Sequence, residues 1–271
     1  MTPMKKYKII DAHCHIYPDK IAEKAAEATC DFYEGLGSTL DGTVSTLLKE
    51  AEIAGIDHCV VQSVATTPKQ VSSINNFIAN TVAEGDGKFT GLGTLHPDSD
   101  DVKADIDEII GLGLKGVKLH PDIQKFKIDD YRMLKIYELC EGRLPILMHT
   151  GDNRYDYSNP NRLIPVLDIY KNLTVIGAHF GGWSIWEEAT EQLSKYKNFY
   201  VDCSSSLYAM TPEKAKKLMQ AYGINRVLFG TDYPMWKPKE EIERFMQIEL
   251  TKKEREDILY NNTAKLLNKK F

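Results

Sequence analysis

Two histidines near the start of the chain, His13 and His15, are separated by one residue at the end of an apolar run. Residues i and i+2 of a β-strand point to the same face, so the two imidazoles would project together, with Asp11 one layer below them. Imidazole pairs of this kind bind divalent metals. A lone H-x-H motif also arises by chance and is then structural, so the metal interpretation depends on partners elsewhere in the chain.

Other residues with useful chemistry recur at one place in the sequence pattern, the end of an apolar strand. Six of the seven histidines are found there, and only His58 instead opens a predicted strand. The strand-end residues are His13, His15, His96, His120, His149 and His179, together with Lys118 and Asp232. In parallel α/β barrels this end of the strands carries the active site, and packing alone does not explain so many coincidences. The pattern therefore predicts a metal site.

A plausible ligand set contains two imidazoles from one strand, a third from another strand and the carboxylate of Asp232. Such nitrogen and oxygen ligands suit Zn²⁺ and also Mn²⁺, Fe²⁺ or Co²⁺. An open coordination position would hold water and lower its pKa toward about 7, which creates a nucleophile at neutral pH. Asp232 would also accept the proton of that water, and His179 is placed to orient the water or to polarise the scissile bond.

Further strand-end and loop residues are predicted to contact the substrate. His96 and His120 both precede a Pro-Asp pair, and each has a structural alternative because the proline can simply end the strand. Lys118 shares a face with His120 and has three interpretations: a carbamylated ligand bridging two metals, a partner for a substrate carboxylate, or a buried lysine paired with an acid. We favour the last two. Trp183 is predicted to line the pocket, with loop packing as the alternative.

Eight apolar strands, each followed by an amphipathic segment, would position these residues. The predicted strands span residues 7–15, 58–64, 89–97, 114–121, 145–151, 173–182, 198–206 and 226–234. This alternation predicts an α/β protein with a parallel (β/α)₈ TIM barrel. An open doubly wound sheet is less favoured, since no G-x-G-x-x-G follows the first strand. We expect a single domain over residues 1–271, with a helical insertion at about 16–42.

Composition narrows the expected partners. The formal net charge is −5 and the basic residues form no stripe, so we expect a small-molecule substrate and neither nucleic acid nor membrane. The N-terminal apolar run is too short for a signal peptide and no segment reaches membrane-spanning length, which predicts a cytoplasmic protein. The five cysteines form no C-x-x-C pair, so neither a disulfide framework nor a thiolate zinc site is expected.

The motifs together resemble the amidohydrolase superfamily, in particular the amidohydrolase-2 group. That group contains metal-dependent hydrolases and lactonases, and also decarboxylases related to aminocarboxymuconate-semialdehyde decarboxylase. The similar segments are IIDAHCHIYP, GVKLHP, ILMHTG, VIGAHFGG, VLFGTDYP and ILYNNTAKLL, which extend from residue 9 to residue 267. The H-x-H of the first strand with the G-T-D of the last is the most specific combination.

The resemblance implies a single divalent metal, with Zn²⁺ as the first expectation, and His179 acting beside the metal-bound water. The ligands that it implies are His13, His15, His149 and Asp232. TatD-type nucleases share the opening motif but carry a glutamate on the fourth strand, where this chain has Lys118 and His120. PHP-type phosphoesterases also share it but are richer in later His and Asp ligands. A second metal is therefore doubtful, and a homodimer is a further expectation of the resemblance.

The resemblance identifies the site better than the reaction. One metal constellation supports water attack on an amide, ester or lactone and also non-oxidative decarboxylation. We expect hydrolysis, because every part needed to activate water is present. The alternative is a decarboxylase of a small aromatic or unsaturated carboxylic acid. A binding protein on a retained barrel is a third, weaker interpretation, because a decayed site would show at least one replaced ligand.

Overall fold

The strands of the barrel are short and regularly spaced along the chain. The computed structural model describes residues 7–37 and 40–268, and these residues contain nine strands. They are β1 (Ile10–His15), β2 (His58–Gln62), β3 (Phe89–Gly91), β4 (Gly93–Thr94), β5 (Val117–Leu119), β6 (Ile146–Met148), β7 (Val175–Gly177), β8 (Phe199–Asp202) and β9 (Val227–Leu228). The ends of the predicted single domain, residues 1–6 and 269–271, and two residues of the predicted insertion lie outside the described residues.

All neighbouring strands are parallel and follow the order of the chain. One sheet has the order β1-β2-β3 and the other the order β4-β5-β6-β7-β8-β9. β3 and β4 are two parts of one predicted strand, separated by Leu92. On the other side, the N–H of Ala12 donates to the carbonyl of Phe229 at 2.9 Å, and the N–H of His15 donates to the carbonyl of Tyr233. The first and last strands therefore lie side by side, and the predicted (β/α)₈ barrel is confirmed.

Helices follow the strands and cover the outside of the barrel. They are α1 (Ala22–Phe32), α2 (Val44–Ala54), α3 (Val71–Glu84), α4 (Val102–Gly111), α5 (Pro121–Gln124), α6 (Tyr131–Cys140), α7 (Leu163–Ile169), α8 (Trp186–Leu193), α9 (Pro212–Tyr222), α10 (Pro238–Met246), α11 (Lys252–Glu256) and α12 (Asn262–Leu266). Among the described residues, no helix combines the length and the apolar character needed to cross a membrane.

Helix boundaries follow ordinary capping chemistry. The side chain of Thr43 accepts a hydrogen bond from the N–H of Thr46 at the start of α2, and Gly55 ends this helix in the left-handed conformation. The short helix α5 is a correction to the sequence prediction, which continued the fourth barrel strand to residue 121. Pro121 instead occupies the first turn of α5, a position in which proline needs no N–H partner.

Alternate residues of the strands face two apolar layers. Val60, Leu147 and Ile176 belong to a cluster inside the barrel. Their neighbours Val61 and Met148 belong to the larger layer between the strands and the helices. Strands buried on both faces explain why the sequence shows continuous apolar runs rather than alternation of apolar and polar residues. The inner cluster fills the barrel below the strand ends, so that the polar residues above it rest on a packed floor.

β1 contains an irregularity that changes which side chains point inward. Its pairing with β2 shifts between Asp11 and Cys14, as expected for a β-bulge. Ala12 belongs to the inner cluster, whereas Cys14 belongs to the outer layer. The prediction that Asp11 lies one layer below the two histidines was therefore wrong. Its carboxylate instead accepts the backbone N–H of Thr231 at 2.9 Å.

Candidate metal centre

The side chains of His13, His15 and Asp232 converge where the first and last strands lie side by side. Nε2 of His13 is 3.2 Å from Nε2 of His15 and 3.2 Å from Oδ1 of Asp232. Nε2 of His15 is 3.6 Å from the same carboxylate oxygen. Three potential ligand atoms thus face one point. The structure brings together three of the four residues that the sequence predicts as metal ligands.

Backbone geometry explains why these side chains meet. The N–H of Asp232 donates to the carbonyl of His13 at 2.8 Å, which aligns the segment after β9 with β1. Asp232 itself has a φ of +61°, a conformation that is uncommon outside glycine. Gly230 lies against His13, where an added Cβ would come within 2.9 Å of the His13 Cβ. The small residue beneath the ligands therefore gives the His13 side chain its space.

Asp202 at the end of β8 orients the His13 ring from behind. Its Oδ2 is 2.9 Å from Nδ1 of His13, and both side chains are buried. A carboxylate accepts a hydrogen bond, so Nδ1 carries the proton and the lone pair is left on Nε2, the atom that faces His15 and Asp232. The other oxygen of Asp202 accepts the N–H of His179 at 3.1 Å and the hydroxyl of Ser204 at 2.5 Å. One carboxylate thus links three residues of the centre.

His179 lies beside His13 with its ring fixed in a similar way. The two ring centroids are 5.3 Å apart with an angle of 22° between the planes. Nδ1 of His179 is 3.0 Å from the backbone carbonyl of Ser204, which can only accept, so the free lone pair is on Nε2. Burial lowers the pKa of His179 to about 3, and the nearby Asp202 only partly opposes this shift. The imidazole is therefore neutral, as a hydrogen-bond acceptor must be.

Lys118 on β5 is a buried cation at the centre. Its Nζ is 3.2 Å from Nε2 of His13, and the side chain is almost inaccessible to solvent. Burial lowers its pKa to about 8, and the negative charges of Asp232 and Asp202 partly oppose this change. Lys118 alternates with Val117 and Leu119, which belong to the outer layer, so it points inward. The structure thus places Lys118 on the inward face of β5, as predicted, and close to Asp202 and Asp232.

His149, the fourth predicted ligand, lies at the same end of the barrel but outside the group formed by His13, His15 and Asp232. Its ring centroid is 5.0 Å from that of His179 and 4.0 Å from that of His120, to which it is almost parallel. Nε2 of His149 is 3.7 Å from the Asp122 carboxylate, too far for a hydrogen bond. This buried nitrogen has no hydrogen-bond partner among the described residues.

Tyr33, which follows α1, is a site residue that the sequence analysis did not identify. Its hydroxyl oxygen is 2.8 Å from Nε2 of His120 and 3.4 Å from Nδ1 of His149. Nδ1 of His120 accepts the N–H of Ile123 at 3.3 Å, so its Nε2 carries the proton and donates to the Tyr33 oxygen. The hydroxyl hydrogen of Tyr33 is consequently free to donate toward His149 or toward a bound molecule. No sequence signal marked this tyrosine, because its partner lies 87 residues away.

A cavity opens above the strand ends, and Arg154, which does not belong to its lining, fixes the segment that carries Tyr33. The Arg154 guanidinium donates to the Asp152 carboxylate, with the closest bond at 2.8 Å, and to the carbonyl of Phe32 at 2.8 Å. It also lies over four aromatic rings, with distances to the centroids of 5.2–5.6 Å. These rings are those of Phe32, Tyr33, Tyr155 and Trp183. We name this group the Arg154 stack. Trp183 therefore packs behind Tyr33 and does not line the cavity, in agreement with the loop-packing alternative.

His96, another predicted site residue, is buried two residues after β4. Its Nδ1 accepts the N–H of Asp98 at 3.2 Å, in a local turn. The described residues that line the cavity include His120 but not His96. His96 thus makes a local turn contact, while His120 contributes both a helix cap and a ring at the cavity floor.

A cavity of about 470 Å³ opens above the strand ends. Its floor includes His15, Lys118, His149, His179 and Asp232. Its walls include residues of α1 in the predicted insertion and of α3 after β2. This volume is in the range of small-molecule sites. The insertion thus contributes directly to the pocket.

The donor set at the floor fits a divalent metal ion. Burial lowers the pKa of His13 and that of His15 well below the usual value, and the charge of Lys118 adds to the effect. Both rings are therefore neutral and present lone pairs, while Asp232 supplies an oxygen. Two imidazole nitrogens and a carboxylate oxygen form a common coordination set for Zn²⁺ and for Mn²⁺ or Fe²⁺. A metal-binding histidine needs an acceptor for the ring N–H that faces away from the metal, and Oδ2 of Asp202 accepts this hydrogen bond from Nδ1 of His13.

The parallel barrel and the His and Asp side chains at its strand ends define the class of metal-dependent (β/α)₈-barrel enzymes. Residues 10–269 match the family described as amidohydrolase, and the chain belongs to this family. No curated protein matches the sequence.

Solved structures with the same fold cover almost the whole chain. An uncharacterised TIM-barrel protein from Bordetella bronchiseptica is 26% identical, with a TM-score of 0.81 over 96% of this chain and 98% of that one. A dihydroxybenzoic acid decarboxylase from Polaromonas sp. JS666, with bound manganese and the inhibitor 2-nitroresorcinol, is 15% identical, with a TM-score of 0.75 over 97% of each chain. A probable 2-pyrone-4,6-dicarboxylic acid hydrolase from Acinetobacter baumannii is 18% identical, with a TM-score of 0.66 over 96% of this chain and 99% of that one.

Proposed function

We propose that this protein is a metal-dependent hydrolase that uses an activated water molecule on a small amide, ester or lactone. The observation that carries the proposal is the convergence of His13 Nε2, His15 Nε2 and Asp232 Oδ1 within 3.6 Å of one another at the floor of a cavity. Imidazole nitrogens and a carboxylate oxygen at such distances from one another can bind a single divalent ion between them. The same residues at the same strand ends are those that a barrel hydrolase needs.

His13, His15 and Asp232 would hold one divalent ion, with His149 as the fourth ligand. Zn²⁺ is our first expectation for this set, and Mn²⁺, Fe²⁺ and Co²⁺ are the alternatives. When bound, the metal lowers the pKa of water toward about 7 and polarises the carbonyl group of the substrate. His149 is available for this role because, within the part of the chain that the structure describes, its Nδ1 makes a single long contact, of 3.4 Å, with Tyr33.

The residues around the centre divide the remaining tasks. Oδ2 of Asp232 accepts the hydroxyl of Ser205 at 2.5 Å, which holds the carboxylate while its Oδ1 faces the histidines. We assign Asp232 to accept the proton of the attacking water. The lone pair on Nε2 of His179 would accept a hydrogen bond from that water and direct its oxygen toward the carbonyl carbon. The free hydroxyl hydrogen of Tyr33 would donate to the carbonyl oxygen as negative charge develops on it.

A second candidate is non-oxidative decarboxylation of a small carboxylic acid, and Lys118 is the observation that favours it. A buried ammonium group beside the centre can pair with a substrate carboxylate in a site with little water. Loss of CO₂ breaks the bond between the carboxylate and the adjacent carbon, and that carbon then takes up a proton. The manganese-containing decarboxylase with the same fold makes this reaction a necessary comparison.

Product chemistry distinguishes the two reactions. Enzyme stripped of metal and reloaded with Zn²⁺ or Mn²⁺ would be screened on lactones, esters and amides beside carboxylated aromatic acids. Release of a new acid group without CO₂ supports hydrolysis, and CO₂ release supports decarboxylation. Metal binding that is far below one ion per chain and is unchanged by His13→Ala would overturn both proposals, since both need the same centre.

A further inference from the structure

The cavity is divided into a floor that carries charged and imidazole groups and a largely apolar upper part whose described residues carry no charge. Every charged residue of its lining, Lys118 and Asp232, is at the floor, as are His15, His120, His149 and His179. Above them, the described lining residues include no Lys, Arg, Asp or Glu side chain. Hydroxyl and amide groups of Thr29, Ser63, Thr66, Gln70 and Ser73 also line the cavity, so it offers charged partners, rather than all polar ones, to only one end of a bound molecule.

Two helices contribute apolar side chains to the upper part of the cavity, which we call the apolar arm. Ala25 and Ala28 on α1 face it from one side, and Ile74 and Phe77 on α3 face it from the other. Met235, after the last strand, adds to the lining. Two alanines on α1 are small enough to leave room for a ligand between the helices. Side chains of this kind attract apolar groups, because burial removes those groups from water.

We propose that the substrate has one polar head, which binds at the floor, and an uncharged apolar body that fills the apolar arm. This inference rests on the proposed function, since the head is the amide, ester, lactone or carboxylate group that the centre acts on. A second carboxylate in the body would lose its water without gaining a cation to pair with. Molecules with charges at both ends are therefore disfavoured, whereas a ring with an alkyl substituent suits the site.

Binding of three simple acids to metal-loaded protein tests this inference without relying on turnover. The probes are benzoate, 4-butylbenzoate and 4-carboxybenzoate, which share one head and differ only at the far end of the ring. A buried methylene group improves affinity about fourfold at best, so we expect 4-butylbenzoate to bind at least about tenfold more tightly than benzoate. We expect 4-carboxybenzoate to bind more weakly than benzoate. Calorimetric titration measures all three dissociation constants.

Variants of the arm separate specific binding from general hydrophobic adsorption. Ala28→Phe places a ring in the arm, so it should remove the advantage of the butyl group while benzoate affinity changes less than about threefold. Glu27→Phe adds the same ring at the neighbouring exposed position, which is not part of the lining, and should leave both affinities unchanged. Ser73→Lys adds a cation beside the arm, and we expect it to raise the affinity for 4-carboxybenzoate about tenfold.

Two results would overturn the inference. One is that wild-type protein binds 4-carboxybenzoate as tightly as 4-butylbenzoate. The other is that Ala28→Phe keeps the full butyl advantage, which would place the alkyl group elsewhere. Failure of the proposed function would look different. The protein would then show no metal-dependent turnover of any substrate, while the three dissociation constants would keep the order expected here.

Discussion

Buried histidines occupy both ends of the barrel, and their surroundings differ completely. His58 opens β2 at the N-terminal end, where its Nδ1 is 3.0 Å from the carbonyl of Gly87 and its Nε2 is 2.8 Å from the hydroxyl of Thr90. At the opposite end, Nε2 of His13 faces Nε2 of His15 at 3.2 Å. Both ring nitrogens of His58 have partners close by in the fold. The rings of His13 and His15 instead direct a nitrogen at each other.

This difference shows how a structural histidine can be distinguished from one kept for a ligand. At the N-terminal end, each ring nitrogen of His58 meets a group that can complement it, so folding alone accounts for the residue. At the C-terminal end, two imidazole nitrogens and a carboxylate oxygen lie within 3.6 Å of one another beside the Lys118 ammonium. Local packing does not require three potential ligand atoms to converge on one point, whereas a bound metal ion does. The variants described below test whether changes at the C-terminal end of the barrel affect metal binding, and whether a change at the N-terminal end affects stability alone.

The largest effect should come from Asp232→Asn. This change removes the negative charge and the proton acceptor with almost no change in volume. We expect metal-dependent kcat/KM to fall by at least about 10³-fold, together with a loss of metal affinity. Activity assays and metal analysis of the purified protein measure the two effects. Asp98→Asn, a matched change at a half-exposed carboxylate beside His96, should alter neither.

Tyr33→Phe should lower kcat by roughly 10²-fold, the size expected when one hydrogen-bond donor to a developing oxyanion is lost. Metal content should stay close to the wild-type level, because the short contact of the hydroxyl is with His120 at 2.8 Å, and its contact with His149, the proposed fourth ligand, is long at 3.4 Å. Steady-state kinetics at saturating metal would measure this effect. An unchanged kcat would show that the free hydroxyl hydrogen has no role in the reaction.

Asp202→Asn should weaken metal binding about 10–100-fold, since the amide can no longer enforce protonation of Nδ1 on His13. Competitive titration with a chelator measures the affinity. Thermal unfolding of the metal-free protein serves as the control for damage to the fold. Equal metal affinities in the variant and the wild type would contradict the orienting role of Asp202.

The smallest expected effect on the site comes from His58→Ala, although this change affects stability. It leaves the Gly87 carbonyl and the Thr90 hydroxyl without this partner, which should cost roughly 1–3 kcal/mol in the free energy of unfolding. Metal affinity and kcat should remain those of the wild type. Urea denaturation measures the loss, and His58→Gln, which retains one hydrogen bond, should lose less. A large fall in metal affinity would show that the two ends are coupled.

Much of the fold could be predicted because its signal is local. Apolar runs identified the eight barrel strands, and the helices between them follow amphipathic patterns. The predicted strands were longer than those observed, since residues beyond the paired segments are also apolar. The short helix α5 was missed because Pro121 was interpreted only as the end of a strand. Proline serves equally well at the first turn of a helix.

The centre was less predictable where it depends on distant pairing. Strand-end positions identified His13 and His15 and also Asp232, but the bulge of β1 was not visible in the sequence. That bulge accompanies hydrogen bonds to the segment after β9, more than 200 residues away in the chain. Tyr33 was missed for the same reason, because a tyrosine that follows a helix has no periodic signal. The local sequence pattern therefore locates the ligands, whereas tertiary contacts decide which residues surround and orient them.

The Arg154 stack has a thermodynamic consequence for every molecule that enters the cavity. The wall that carries Tyr33 is attached to the barrel through Arg154 and its bond to Asp152, contacts that lie entirely within the chain. A flexible wall would have to lose conformational entropy each time a ligand bound, and that loss would weaken the affinity. Here the ordering has already taken place during folding. Arg154 thus lowers the entropic cost of association from outside the cavity, without contact with the ligand or the metal ligands.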